Sequence, residues 1–114
     1  MNALVIDPMS WTDVGAVTDV PIRGARRVPT PDGDVAIFRT GDGRVFALKD
    51  RCPHKGGPLS QGIVHGHAVA CPLHNWQISL ATGEALGADA GKGCAPTVPV
   101  ELRAGRIYLG IGQV

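Results

Sequence analysis

The sequence predicts an all-β fold, an antiparallel β-sandwich or barrel in which two loops carry the functional residues. Sixteen glycines and nine prolines among 114 residues divide the chain into short pieces, because both residue types interrupt regular structure. No stretch between them keeps the 3.6-residue apolar period of an amphipathic helix. The short runs that remain are rich in Val, Ile, Leu and Phe and partly alternate with polar residues, a pattern typical of strands.

Seven segments fit the strand pattern, and four turn sequences lie between them. The predicted strands are Ala25–Val28, Asp34–Arg39, Val45–Lys49, His67–Ala70, Trp76–Leu80, Thr97–Leu102 and Arg106–Leu109. The predicted hairpin turns are Pro31-Asp32-Gly33, Gly41-Asp42-Gly43, Ala81-Thr82-Gly83 and Ala104-Gly105, in which glycine takes a positive φ. The segment 11–20 is ambiguous and allows a short helical turn.

The length predicts a single domain, residues 1–114, because two separate cores of about 55 residues each would be marginal. With 44% apolar but only 4% aromatic residues, the core is expected to consist mainly of aliphatic side chains. A charged fraction of 18% is too low for a disordered chain.

Charge and terminal sequence argue against several partners. A formal net charge of +1 gives no field that would attract nucleic acid or anionic lipid. The first eight residues have no basic start, and Asp7 and Pro8 end their short apolar run, so no signal peptide is predicted. No run approaches the eighteen or so apolar residues of a membrane span. We therefore expect a cytoplasmic protein without a nucleic-acid or membrane partner.

The region from Arg51 to Trp76 differs from the rest, because it concentrates Cys, His, Pro and Gly in two loops. The loops read Cys52-Pro53-His54 and Cys71-Pro72-Leu73-His74. Three cysteines cannot form a closed set of disulfides, and without an export signal metal binding is favoured. Thiolates suit iron–sulfur clusters and zinc, while imidazoles suit iron, zinc and copper.

The spacing of the four residues favours a cluster over zinc. Zinc fingers pair two cysteines on one loop and two histidines on a helix, an arrangement that is absent here. One Cys and one His from each loop fit a two-iron cluster, with Cys52 and Cys71 on one iron and His54 and His74 on the other. Backbone amides could donate to its sulfides. The candidate donors are Lys55, Gly56, Gly57, Leu73 and Asn75.

The pattern C-P-H followed by C-P-L-H resembles the signature of Rieske [2Fe–2S] proteins, in which two histidines replace two cysteines on one iron. The resemblance implies a base of antiparallel sheets with a small cluster-binding subdomain, here at about residues 50–78. It also implies one [2Fe–2S] cluster per chain and electron transfer in single steps. Histidines of this family bind iron through Nδ1, which implies that Nε2 of His54 and His74 lies near solvent.

Four positions separate this chain from cytochrome bc₁-type Rieske proteins. In those proteins the positions of Gly57 and Leu73 are cysteines joined in a disulfide. The positions of Trp76 and Ile78 are a Ser and a Tyr that donate hydroxyl hydrogen bonds to the cluster. Fewer donors stabilise the reduced state less, so the resemblance predicts a potential in the lower part of the Rieske range.

The flanking residues resemble the small subunit of assimilatory NAD(P)H nitrite reductase. The matching stretches are Cys52-Pro53-His54-Lys55-Gly56-Gly57-Pro58-Leu59-Ser60, Gly62-Ile63-Val64-His65-Gly66, Cys71-Pro72-Leu73-His74-Asn75-Trp76 and Thr82-Gly83-Glu84-Ala85. This resemblance implies a subunit of an oxidoreductase. Its partner would be a large subunit with FAD, an iron–sulfur cluster and sirohaem that reduces nitrite to ammonia.

Two other functions stay open. The first is a free Rieske ferredoxin that shuttles electrons between a flavin reductase and an aromatic-ring dioxygenase. The second is a redox-silent module that keeps the fold and holds zinc or no metal.

Several residues near the loops have ordinary structural interpretations. His65 and His67 are predicted to flank an exposed hairpin turn, and Cys94 to be a reduced thiol packed beneath a loop. Trp76 is expected to pack against its loop and shield the cluster. Lys55 is equally compatible with a solvated side chain and with a contact to an acidic partner.

Overall fold

A computed structural model of the protein describes residues 11–53, 56–73 and 75–111. In these ranges the chain is all-β, as predicted, with nine strands. They are β1 Trp11–Ala16, β2 Gly24–Thr30, β3 Gly33–Arg39, β4 Val45–Lys49, β5 Ile63–His65, β6 Ala68–Ala70, β7 Gln77–Ser79, β8 Val100–Arg103 and β9 Arg106–Gly110. The helical segments of this part of the chain are three 3₁₀ turns, Val17–Asp19, Leu59–Gln61 and Gly87–Asp89. None has the length and apolar character that a membrane span requires.

The strands form three antiparallel sheets of three strands each. Sheet A has the order β1-β9-β8, sheet B the order β2-β3-β4 and sheet C the order β5-β6-β7. Sheets B and C are simple meanders in which chain neighbours pair. Sheet A instead joins the start and the end of the described chain, because β9 pairs with both β1 and β8.

All seven predicted strands are present, and all except Val45–Lys49 are shifted at one or both ends. The strand expected from Thr97 begins at Val100, and Pro99, which has no amide hydrogen to donate, immediately precedes it. The ambiguous segment 11–20 contains both β1 and a 3₁₀ turn. Strand β5 was not among the predicted segments, because three residues are too few to show a period.

Sheet B lies between the other two sheets. The central strand β3 buries side chains on both faces, since Val35, Ala36, Ile37 and Phe38 are all fully buried. Ala36 and Phe38 join the core cluster shared with sheet C, while Val35 and Ile37 join the cluster shared with sheet A. An uninterrupted apolar run in a strand is what two covered faces require. The core shared with sheet C also contains the two cysteines of the predicted site.

A polar contact joins sheet C to the turn between β3 and β4. His67 Nε2 lies 2.9 Å from Asp42 Oδ2, and the buried hydroxyl of Thr40 donates to the other carboxylate oxygen. The hydrogen bond from Thr40 is the main cause that lowers the pKa of Asp42 to about 2, and His67 contributes next. The ionised carboxylate therefore favours the folded chain.

We expect Asp42→Asn to lower the melting temperature at neutral pH. The folded pKa of Asp42 lies below its unfolded value, so its stabilisation is complete above pH 4 or so and is lost as the pH falls towards about 2. The difference in melting temperature between wild type and variant should therefore shrink over this acidic interval. Thermal melts of both proteins from neutral to acidic pH measure it, and a difference that is constant with pH would contradict the assignment.

Candidate metal centre

The first loop of the predicted site, residues 50–58, follows β4 and is anchored at its start. The carboxylate of Asp50 accepts hydrogen bonds from Ser60 N at 2.7 Å and Ser60 Oγ at 2.6 Å. Within the loop, the amide of Cys52 donates to the carbonyl of Gly57 at 2.8 Å, and the amide of Gly56 donates back to the carbonyl of Cys52 at 2.9 Å. Gly56 has a φ of 72°, a conformation that glycine adopts without strain. These bonds fix the backbone of Cys52.

The second loop, residues 71–76, is a tight reversal between β6 and β7. The amide of Cys71 donates to the carbonyl of Trp76 at 2.7 Å. Asn75 has a φ of 57°, and asparagine tolerates this left-handed region better than most residues do. The amide of Leu73 points at Cys71 Sγ, with a separation of 3.4 Å. The loop thus supplies a hydrogen-bond donor to the sulfur that it presents.

The two loops bring Cys52 and Cys71 together. Each is 2% exposed and both belong to the core cluster between sheets B and C. Burial is the main cause that raises the pKa of the Cys71 thiol to about 11; the Leu73 amide lowers this pKa, and the adjacent Cys52 thiol also raises it. A thiol with a raised pKa is a poor free nucleophile. A bound metal cation reverses this preference, because its positive charge stabilises a thiolate ligand.

Gly57 and Leu73 form a further contact between the loops. A Cβ atom added to Gly57 would lie 2.9 Å from Leu73 Cδ1 and 3.3 Å from Cys71 Sγ. These are the two positions where the bc₁-type proteins carry their disulfide. The structure therefore has no room for a side chain at residue 57 while Leu73 keeps its place.

Gly57→Ala is expected to loosen the two loops and to speed loss of the metal group. Overpacking of this kind costs about 1 kcal/mol or more, which corresponds to roughly a fivefold change in rate. The decay of visible absorbance under chelator measures that rate. The double variant Gly57→Ala/Leu73→Ala, which removes the contacting methyl groups, should restore most of the wild-type lifetime. Equal decay in all proteins would exclude the contact as a stabilising feature.

The predicted ligands divide into two groups. Cys52 and Cys71 lie in the described chain and are brought together, whereas His54 and His74, like Lys55, lie outside the described residues. Among residues 11–53, 56–73 and 75–111, no group of three or more Cys, His, Asp or Glu side chains has the arrangement of a metal site.

The predicted amide donors behave differently from one another. The Leu73 amide points at a cysteine sulfur, which agrees with a role near the metal group. The Gly56 amide donates to the carbonyl of Cys52, so its role as a donor to a sulfide stays a prediction. The tight turn of the first loop uses that donor.

The structural interpretations of the two histidines and of Trp76 fit the structure. Gly66 and His67 form the exposed turn between β5 and β6, with His65 at the end of β5. His65 contacts Gln77, and His67 contacts Asp42. Trp76 is partly buried and packs against the core that contains both cysteines.

The prediction that Cys94 packs beneath a loop is wrong, because its side chain is exposed. The buried residue of this segment is its neighbour Ala95, whose amide donates to the carbonyl of Gly83 at 2.7 Å. Cys94 instead lines a cleft of about 900 Å³ whose wall includes Cys52 and Pro53. A single small residue gives no local pattern that would reveal which of two neighbours points inward.

Comparison with known proteins links this geometry to a family. The family model of the Rieske [2Fe–2S] domain matches residues 10–99. The 3-phenylpropionate/cinnamic acid dioxygenase ferredoxin subunit of Photorhabdus laumondii is 39% identical over 92% of this chain and 98% of its own length. Two other curated relatives are longer proteins, of which this chain spans 20% and 26%.

Solved structures show the same architecture. A Mycobacterium tuberculosis protein assigned as the small subunit of an NADH-dependent nitrite reductase superposes with a TM-score of 0.81 and 27% identity, over 93% of this chain and 98% of that one. A chain of the complex of reduced oxygenase and oxidized ferredoxin in carbazole 1,9a-dioxygenase gives a TM-score of 0.78 and 27% identity, over 91% and 96% of the two chains.

Proposed function

This chain belongs to the Rieske [2Fe–2S] domain family, and on that basis we propose which of its residues hold the single cluster that the family implies. Cys52 and Cys71 bind one iron. His54 and His74 bind the other. The loops at about residues 50–78 form the cluster-binding subdomain.

The described half of this site fits such a cluster. Cys52 and Cys71 are neighbouring buried cysteines whose sulfur atoms suit an iron–sulfur cluster. Gly57 leaves open the space beside Cys71 Sγ that a Cβ would fill. The Leu73 amide donates towards the same sulfur, the kind of outer-shell contact that tunes iron–sulfur centres. When bound, the cluster supplies one-electron chemistry, and the chain's own residues hold it and limit its contact with water.

A rhombic electron paramagnetic resonance signal after dithionite reduction, with two iron and two sulfide per chain, is expected from the purified protein. The low mean g value typical of mixed Cys/His ligation would support the histidine ligands. The absence of an electron paramagnetic resonance signal, together with one zinc per chain, would overturn the proposal in favour of the redox-silent module.

The chain functions as a Rieske electron-transfer component of an oxidoreductase system, and we propose that it serves an aromatic-ring dioxygenase as a free ferredoxin. The observation that carries this choice is the 39% identity to a dioxygenase ferredoxin subunit over 98% of that subunit's length. The two sequences match over nearly the whole of both lengths. Its electron donor would be a flavin reductase.

The second candidate is the small subunit of an assimilatory NAD(P)H nitrite reductase. It is supported by Asn75-Trp76 and by the Lys55-Gly56-Gly57-Pro58 stretch, and by the superposition on the Mycobacterium tuberculosis protein. In this case the partner would be the large flavin and sirohaem subunit.

Purification of the tagged chain from its own host distinguishes the two systems. A stable complex that shows sirohaem absorbance would support the nitrite reductase and exclude the free ferredoxin. A dissociated chain that is reduced by a flavoprotein with NAD(P)H, and reoxidised by an oxygenase in the presence of its aromatic substrate, would support the ferredoxin.

We expect a midpoint potential below about +150 mV, within the roughly −150 to +300 mV Rieske range. The positions that carry hydroxyl donors in the bc₁-type proteins are Trp76 and Ile78 here, and neither side chain can donate an O–H hydrogen bond. Fewer donors leave the reduced cluster less stabilised. A redox titration followed by visible circular dichroism measures the potential, and a value above that limit would refute the prediction.

A further inference from the structure

The side chain of Arg51 lies across the backbone of the first loop. A Cβ atom placed on Gly56 would lie 3.3 Å from Arg51 Nε and 3.8 Å from both its Cγ and its Cζ. The same Gly56 donates its amide to the carbonyl of Cys52. The guanidinium of Arg51 therefore packs on the turn that fixes a proposed cluster ligand, on the side where glycine leaves space.

Among residues 11–53, 56–73 and 75–111, no carboxylate forms an ion pair with Arg51. The adjacent Asp50 uses both carboxylate oxygens for Ser60. Asp34 lines the same cleft as Arg51. Its Oδ2 atom lies 3.7 Å from Nε of Arg27. The cleft also contains Asp32 and Lys49, which carry opposite charges.

We propose that Arg51 raises the reduction potential of the cluster by holding a fixed positive charge beside the first loop. Reduction adds one electron to the cluster, and a nearby cation stabilises that added charge more than it stabilises the oxidised state. The inference rests on the proposed assignment of Cys52 as a ligand. Because Arg51 is exposed, salt screens its effect. It acts through its charge, not through a bond to the cluster.

The test is a set of redox titrations on the purified cluster-loaded protein. Arg51→Gln removes the charge, and Arg51→Lys keeps it. Arg103→Gln is the matched control, since Arg103 is also exposed but lies on sheet A, which carries neither loop. If Arg51→Gln lost the cluster, Arg51→Met would replace it, because its apolar side chain can still pack on Gly56.

The potential of Arg51→Gln is expected to be more negative than that of wild type, while Arg51→Lys and Arg103→Gln stay close to wild type. The shift should fall at least twofold between about 0.05 M and 1 M salt, because the Debye length shortens from more than 10 Å to about 3 Å. A loaded Arg51→Gln protein with the wild-type potential would overturn the inference and leave the proposed function intact. A shift that salt does not change would also overturn it, since it would indicate altered packing. Absence of a cluster from the wild-type protein would overturn both the inference about Arg51 and the proposed function.

Discussion

Cys71→Ala is expected to yield a folded chain without a [2Fe–2S] cluster. The substitution removes a buried thiol that lies beside Cys52, and no other described cysteine is buried at the site. Iron held by the remaining ligands would lack one of its two soft donors. Iron and sulfide analysis, together with the visible spectrum, should show at least a tenfold loss of cluster per chain.

Cys94→Ala is the matched control for this experiment. It also removes a thiol, but from an exposed side chain, and we expect its cluster content and spectrum to equal those of wild type. Loss of the cluster from Cys94→Ala with retention in Cys71→Ala would reverse the ligand assignment. Circular dichroism of the far-ultraviolet region checks that each variant keeps its strands.

Gly83→Ala is expected to give the largest loss of stability among single glycine substitutions outside the loops. Gly83 has a φ of 77°, and a Cβ atom there would lie 1.9 Å from the carbonyl oxygen of Ala95. This overlap would separate the hydrogen-bonded backbones of Gly83 and Ala95 and expose part of the core that Ala85 and Ala95 help to form. The backbone strain and the steric overlap together should lower the free energy of unfolding by about 3 kcal/mol or more.

Gly105→Ala separates the effect of backbone strain from the effect of steric overlap. Gly105 has nearly the same φ, 79°, but a Cβ atom there would meet nothing within 4 Å. Gly105→Ala should therefore lower the free energy of unfolding only through backbone strain, by about 1–2 kcal/mol. Urea unfolding of both variants measures the free energies of unfolding. Equal losses would mean that the Ala95 carbonyl moves aside freely, contrary to the close packing seen around it.

Much of the fold follows from short-range patterns in the sequence. The run Asp34–Arg39 and the run Val45–Lys49 around Gly41-Asp42-Gly43 predict a hairpin, and the structure has β3 and β4 there. The ligand pattern is equally local, because each loop carries its own Cys and His within four residues. Such signals are readable because strand, turn and ligand preferences act between residues close in the chain.

The all-β class, the two loops rich in Cys and His, and the kind of metal group that such loops suit could all be predicted from local sequence. The contact of Gly57 with Leu73, the outward position of Cys94 beside Ala95, and the packing of Arg51 on Gly56 appear only in the folded chain. Strand β5 also belongs to this second group, because its three residues gain their conformation from pairing with β6. Burial and contact depend on which distant segments pack together, and no local period in the sequence records that choice.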